Sequence, residues 1–278
     1  MKLGLVTCAE YPQLPKNEEF LLSRLAKSGV QTLPVVWSKK QNWSKFDALV
    51  IRSVWDYHKR PEEFTEWLLE IKTQNVAVFN SVDLIIKNMD KRYLLELKNK
   101  KIPIVPTEVL QRNTPVEIDR KMSLNHWESV VVKPTISATA FQTHLIRNKA
   151  HLQELQLQSD LTYLIQPYIP QIQKGEYSLI FFNGKFSHSV LKKPKPNEFK
   201  VQSDFGGSFE RIRVADDIIA QARMAIRTLD ETPLYARVDG LVINGKFILM
   251  ELELIEPELF LLTEELERRF IKSIQGLL

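Results

Sequence analysis

The sequence predicts an α/β chain: a small parallel α/β unit over the first eighty residues, then a two-part α+β region with antiparallel sheets. Two observations carry this. Apolar extended runs at residues 2–8, 32–37, 48–53 and 76–79 alternate with helical segments, as in a parallel sheet. Beyond residue 80 that alternation stops, and extended segments joined by Asn183-Gly184 and Asn244-Gly245 read as hairpins.

Each element has a local cause. Asn17 caps a helix whose Phe20, Leu21 and Leu25 face ends at Gly29, in the position of a C-terminal stop. A second helix starts at Pro61 with Glu62 and Glu63 in its first turn. Ser81 and Asp90 open short helices, residues 102–106 form a Pro-bounded link, and residues 129–133 are a buried strand. Strands follow at 163–169, 177–182 and 185–191, then a helix at 215–229. A hairpin of 235–243 and 247–255 precedes a closing amphipathic helix at 261–274. Repeats and long linkers are absent, and the chain divides as 1–80, 81–165 and 166–278.

With 278 residues, 44% apolar and 26% charged, the chain has the composition of a globular protein, and no apolar run is long enough to cross a bilayer. Lys+Arg 38 minus Asp+Glu 34 gives +4, too diffuse for a nucleic-acid footprint and compatible with small anionic ligands. The expected partner is a small-molecule substrate, with no nucleic acid and no membrane; a homodimer is compatible with this. A single cysteine, Cys8, and no signal core point to the cytoplasm, and Cys8 reads as a core residue at a strand end rather than a nucleophile. Nine glycines, none in GxGxxG or GxxxxGK[ST], exclude the common phosphate loops. The five histidines form no HExxH, and GxSxG is absent.

The hairpin from Tyr235 to Pro257 is the most informative segment. Glu251 and Glu253, two apart on one strand, project from the same face about 6.6 Å apart, while Met250, Leu252 and Leu254 take the other. Turn parity decides where Asp239 lies. A two-residue Asn244-Gly245 loop sets Asp239 opposite Met250. A three-residue loop, Ile243-Asn244-Gly245 with Gly245 in a left-handed bulge, pairs Val242 with Lys246 and gathers Arg237, Asp239, Glu251 and Glu253 on one face. The bulged turn is the expectation. Three carboxylates without His or Cys then favour Mg²⁺ or Mn²⁺, completed by nucleotide oxygens. The competing reading is a solvated acidic face, or an internal salt bridge from Arg237 to Asp239 or Glu251.

Without glycine loops, lysines must hold any phosphates. Lys133 ends the apolar strand before Pro134, and Lys91 stands at a helix start, where the helix end adds positive potential. Gln166-Pro167-Tyr168-Ile169 interrupts a strand ladder and can offer backbone groups to an adenine, and Glu176 can offer a carboxylate to a ribose. For those last two, ordinary structural roles are nearly as good an account.

The motifs Met89-Asp90-Lys91, Val131-Val132-Lys133-Pro134, Gln166-Pro167-Tyr168, Gly175-Glu176, Ala236-Arg237-Val238-Asp239 and Met250-Glu251-Leu252-Glu253 resemble, in order and spacing, those of ATP-grasp enzymes. The resemblance covers essentially the whole chain. Residues 52–58, 202–207 and 251–257 look like the subgroup containing the ATP-dependent cyclo-ligase of cycloserine biosynthesis. Glutathione synthetase and the ribosomal-protein glutamate ligase are more distant. The resemblance implies a pre-ATP-grasp domain followed by a two-part ATP-grasp domain. It implies that Lys91 and Lys133 contact ATP phosphates, that Gln166, Pro167, Tyr168 and Ile169 form the adenine hinge, and that Glu176 holds the ribose. Asp239, Glu251 and Glu253 would bind Mg²⁺, and Arg237, Lys192 and Lys200 would meet the transferred phosphoryl group and substrate. The chain departs from the family pattern at Glu253, where many members have Asn, and between Lys133 and His144, where the flap lacks glycine and Ser137 and Thr139 would supply hydroxyls.

The implied activity is an ATP- and Mg-dependent carboxylate–amine ligase working through an acylphosphate on a small amino-acid-like or peptide-like substrate, with ring closure within one molecule as one form of it. Arg52 would pair with a substrate carboxylate, and Asp56 or His58 with an ammonium. A small-molecule kinase and a nucleotide-binding protein without turnover remain as rival classes.

Overall fold

A computed structural model describes residues 1–195, 198, 200–201 and 206–277. Its first sheet is parallel, in the order β2-β1-β3-β4, from β1 (Lys2–Thr7), β2 (Gln31–Val36), β3 (Ala48–Ser53) and β4 (Ala77–Phe79). Every residue of β3 is buried, as expected of a strand covered on both faces. Pro34 sits in β2 at the sheet edge, where a missing N–H is tolerated. Helix α1 (Phe20–Lys27) buries Leu21 and Leu25 on one face of this sheet; α2 (Pro61–Thr73) covers the other with Phe64 and Trp67, against Trp37 and Trp43. Asn17 is not the cap of α1: Glu19 holds that position without a side-chain bond. The apolar face, rather than a cap, secures this helix.

Helices α3 (Val82–Met89) and α4 (Tyr93–Asn99) follow, with Ser81 capping α3 through the Leu84 amide. The middle sheet, β5-β8-β6-β7, is built from β5 (Glu108–Val109), β6 (Val130–Pro134), β7 (His144–Ile146) and β8 (Tyr163–Pro167), all antiparallel pairs. Packed with it are α5 (Pro115–Asn125) and α6 (Lys149–Glu154). Neither helix, nor β5 or β7, is among the elements expected from sequence.

The third sheet runs β11-β10-β9-β12-β13, entirely antiparallel: β9 (Glu176–Phe182), β10 (Lys185–Lys193), β11 (Ser208–Ile212), β12 (Tyr235–Ile243) and β13 (Lys246–Glu253). Helix α7 (Asp216–Arg227) packs on one face. Helix α8 (Glu264–Gln275) places Phe270, Ile271 and Ile274 in one core with Leu3, Leu5 and Val50 of the first sheet and Ile180, Phe182 and Tyr235 of the third. Among the described residues no helix is long and apolar enough to cross a membrane.

The turn between β12 and β13 differs from expectation. Ile243 pairs with Lys246, so Asn244-Gly245 is a two-residue turn with φ of 51° and 74°. The extra residue lies farther along: Gly240 pairs with Leu249 and Asp239 with Glu251, leaving Met250 as a bulge. Gly240 makes this possible, since a Cβ there would stand 2.5 Å from the Ile248 carbonyl oxygen and from the Phe247 ring. Parity is restored at the bulge rather than the turn. Asp239 faces Glu251 and Arg237 faces Glu253, as the chemistry required.

Strand β13 is an edge, yet its outer backbone groups are paired. Asn88 donates to the Leu252 carbonyl and accepts from the Leu254 amide, the Tyr93 hydroxyl accepts from the Leu252 amide, and residues 103 and 105 bond Leu249. The acid-bearing strand is thus fixed on both sides.

On β10, buried His188 bonds the Leu259 carbonyl through Nε2 (2.8 Å) and lies 3.0 Å from the Ser187 hydroxyl through Nδ1. Burial lowers its pKa to about 4. The unfolded histidine takes up a proton near pH 6.5 while the folded one resists until about pH 4, so stability falls as pH drops through that window. The expected loss is about 3 kcal/mol, measured by urea unfolding at pH 7 and pH 4; His188→Gln should flatten that part of the profile.

Candidate active site

The three sheets and the loops between them enclose a cavity of about 950 Å³. Its floor is two adjacent rows of side chains on one face of the third sheet. Lys192 on β10 is paired with Glu176 on β9, Ser178 on β9 with Asp239 on β12, and Asp239 with Glu251 on β13. Lys192 Nζ reaches Glu176 at 2.7 Å and Asp239 at 3.0 Å, and Ser178 donates to Asp239 at 2.5 Å. Arg237 bonds Asp239 through Nε and Nη2 (3.1 and 2.9 Å), and also Glu253. From the opposite wall Lys91 reaches Glu251 at 3.2 Å and the Ser137 carbonyl at 2.5 Å. Lys133, on β6, lines the same wall.

Burial alone would raise the Asp239 carboxyl, but Arg237 and then Lys192 hold it well below the usual carboxylate range. Glu251, also buried, is drawn down by Lys91 and Lys133. Glu253 behaves oppositely: burial pushes it up to about 8, and Glu251 and Asp239 add to this against Arg237. Burial lowers the Lys133 ammonium, with Lys91 adding to the shift and Glu251 opposing it.

The metal trio expected from sequence is therefore not assembled as such. Among the described residues no three acidic, His or Cys side chains gather in ligating geometry. The reason is the arginine on the same face: Arg237 stands between Asp239 and Glu253, and both Asp239 oxygens are taken by Arg237, Lys192 and Ser178. Glu251 and Glu253 do fit a hard divalent cation. They are oxygen donors on one face, and the pressure on Glu253 to take a proton is what a bound cation relieves.

The expected hinge residues lie at the far end. Pro167, Tyr168 and Ile169 line the cavity, and Tyr168, Ile169 and Met250 pack with Ile172, Val201 and Leu241 into an apolar slot. The bulged Met250 belongs to this slot. Gln166 also lines the cavity, with its side-chain amide donating to Thr107 (2.8 Å). Glu176 faces Lys192 rather than standing free for a ribose. Lys200 lines the cavity, whereas residues 196, 197, 199 and 202–205 of the two basic and glycine-containing motifs lie outside the described residues.

The glycine-poor flap is built without glycine. Thr139, Ala140 and Gln142 take φ of 49°, 53° and 50°, the left-handed region that side chains rarely adopt. Ile136 and Ala138 pack against the core of the first sheet, and the Phe141 ring lies 5.2 Å from His58. The Ser137 hydroxyl, expected to face phosphate, instead donates to the Pro134 carbonyl.

At the first-sheet end, Asp56 and His58 line the cavity; Arg52 does not. The Arg52 side chain is fully buried, ion-paired to Glu18, bonded to the Pro257 carbonyl (3.0 Å), and stacked on Tyr235 and Phe270. It cannot receive a substrate carboxylate. Asp56 accepts from the Trp37 indole (2.8 Å) and pairs with Arg60. Burial lowers the His58 pKa, and Lys59 and Lys91 add to the shift.

Sequence reasoning missed how two motifs meet. Four successive carbonyls after the acid strand are held from outside it: Leu254 by Asn80 (2.7 Å), Ile255 by the Tyr235 hydroxyl (2.8 Å), Glu256 by the Trp55 indole (3.2 Å) and Pro257 by Arg52. Segments 52–58 and 251–257 are one structural device. It places Glu256 in the cavity, where burial pushes its carboxyl up to about 7. The donors Arg52 and Trp55 in one motif and Glu256-Pro257 in the other were the available signal.

Residues 3–80 match the family described as the N-terminal domain of the D-cycloserine synthetase DcsG. Over 295 residues the chain is 27% identical to the cycloserine biosynthesis protein DcsG of Streptomyces lavendulae, covering 98% of this chain and 97% of that protein. Its fold matches the crystal structure of D-cycloserine synthetase DcsG with a TM-score of 0.87 at 24% identity, over 99% of both chains. The D-alanine–D-alanine ligase from Bacillus anthracis complexed with ATP gives 0.68 at 17% identity, over 100% of this chain and 92% of that one. The ATP-grasp ligase PsnB, complexed with minimal precursor, Mg and ADP, gives 0.65 at 13%, over 98% and 96%. The chain has the fold of the ATP-grasp ligase PsnB and is similar along its whole length to the cycloserine biosynthesis protein DcsG.

Proposed function

We propose that this chain is an ATP- and Mg-dependent carboxylate–amine ligase that activates a small amino-acid-like carboxylate as an acylphosphate and joins it to a nitrogen. The observation that carries the reading is one cavity with three distinct ends: an apolar slot, a row of acids faced by lysines, and a wall from the first sheet. Adenine fits the slot beside Tyr168 and Ile169. Lys91 and Lys133 face Glu251 where phosphates would lie, and Arg237 and Lys192 stand beside the acids with charge to offer a transferred phosphoryl group. Glu251 and Glu253 would hold Mg²⁺ or Mn²⁺, which when bound neutralises phosphate charge. The substrate carboxylate attacks the γ-phosphorus and ADP leaves; the nitrogen then attacks the acyl carbon, phosphate leaves, and the nitrogen sheds a proton.

The protein's share is positioning and the exclusion of water. The flap, anchored on the first core through Ile136 and Ala138, roofs the reacting end. Full-length similarity to a cycloserine biosynthesis protein supports ring closure within one molecule as the form of ligation. In this reading residues 1–80 supply the substrate wall, 81–165 and 166–278 grip the nucleotide, and the enzyme works in the cytoplasm. Incubation with ATP, Mg²⁺ and pooled amino-acid metabolites should release ADP and yield a product lighter than its precursors by one water. A stable phosphate ester would instead make the protein a kinase, and an absence of ADP release would remove the ligase reading.

A further inference from the structure

The acids of the cavity floor are paired: Glu176 and Asp239 with Lys192, Asp239 and Glu253 with Arg237, and Glu251 with Lys91. Glu256 lines the same cavity, yet among the described residues no lysine or arginine forms an ion pair with it. Lys91 offsets part of its charge but is already engaged by Glu251 and the Ser137 carbonyl. A carboxylate withdrawn from water without a cation is unfavourable, so the site is incomplete without one.

Its position says which cation. Glu256 stands past the end of β13, on the side of the first sheet, with its carbonyl held by Trp55. The Trp55 ring packs edge-on against Tyr11, with centroids 5.1 Å apart, and both rings line the cavity with Asp56. A cavity wall that carries a carboxylate and two aromatic rings is the setting that favours an ammonium, whereas a divalent cation would belong at Glu251 and Glu253.

We propose that Glu256 receives the protonated amine of the substrate, and that Trp55 is the positioning residue that fixes Glu256 for it. The inference rests on the ligase reading and narrows its substrate class to amino-acid derivatives with a free amino group.

The test uses the full chain with Mg²⁺-ATP and a pool of D- and L-amino acids and their side-chain derivatives. The probe is the component that drives ADP release, set against its N-acetyl form. Wild type should reject the N-acetyl form. Glu256→Gln should raise KM for the free-amine probe about thirtyfold or more, with KM for ATP moving less than about threefold, and Trp55→Phe should raise the same KM about three- to tenfold. An unchanged KM for the probe in Glu256→Gln overturns the proposal, and so does a parallel rise in KM for ATP, which would place Glu256 on the nucleotide. Failure of wild type to release ADP with any component is a different result: it removes the ligase reading, and this inference with it.

Discussion

Glu251→Gln is expected to lower Mg²⁺-ATP-dependent turnover by about 10²–10³-fold, and Lys133→Ala by a similar factor, with little change in unfolding midpoint. Glu251 is the acid through which the two walls of the cavity communicate. It takes Lys91 at 3.2 Å, is drawn down by Lys91 and Lys133 together, and faces Asp239 across the strand pair. The amide keeps the shape and removes the charge. Two lysines then lose their shared counter-ion, and under the proposed function a divalent cation would lose one of its donors. Steady-state ADP release across a magnesium titration distinguishes the causes: a shifted magnesium requirement in Glu251→Gln, and an unshifted one with a lower plateau in Lys133→Ala. Full activity in both variants would leave the acid row without a role in catalysis.

The second large effect is on stability. Arg52→Ala should cost about 3–5 kcal/mol, because it leaves the buried Glu18 carboxylate without its partner and frees the Pro257 carbonyl. The guanidinium is also wedged between Tyr235 and Phe270, 5.1 and 5.4 Å from their ring centroids, so its removal opens a void in the shared core. Replacing both partners, Arg52→Met with Glu18→Leu, should recover most of the loss, since an apolar pair needs no counter-charge. Urea unfolding of the three proteins decides this. A single variant that loses less than about 1 kcal/mol would show that the pair contributes little.

The same residue marks the boundary of what the sequence discloses. Strands β3 and β12 were placed to the residue: the apolar run of β3 is continuous from Ala48 to Ile51, and Asn244-Gly245 marks the end of β12. Arg52 stands at the end of such a run and was assigned to a substrate; its partners are 34 and 205 positions away, beyond the reach of local pattern. Helix α5 escaped because its pattern is faint: Ile118 is its one fully buried apolar side chain, while Val116 and Leu124 are exposed. Thr114 and Pro115, the cap and first residue, were the local sign of it. For the acid face, period-two counting found the right residues. The placement of Asp239 on it was right for a displaced cause, since the extra residue is Met250 and not Ile243. Counting carboxylates also could not show that Arg237 threads between them, because side-chain direction within one face is settled by tertiary neighbours.

Helix α8 has a consequence for biogenesis. Its Phe270, Ile271 and Ile274 complete the face of the first sheet formed by Leu3, Leu5 and Val50, more than two hundred positions earlier. During synthesis the part of that face not covered by α1 stays open until residues 264–275 have left the ribosome. A ribosome stalled before residue 264 would display a nascent chain that is sticky to chaperones on one side of its oldest sheet.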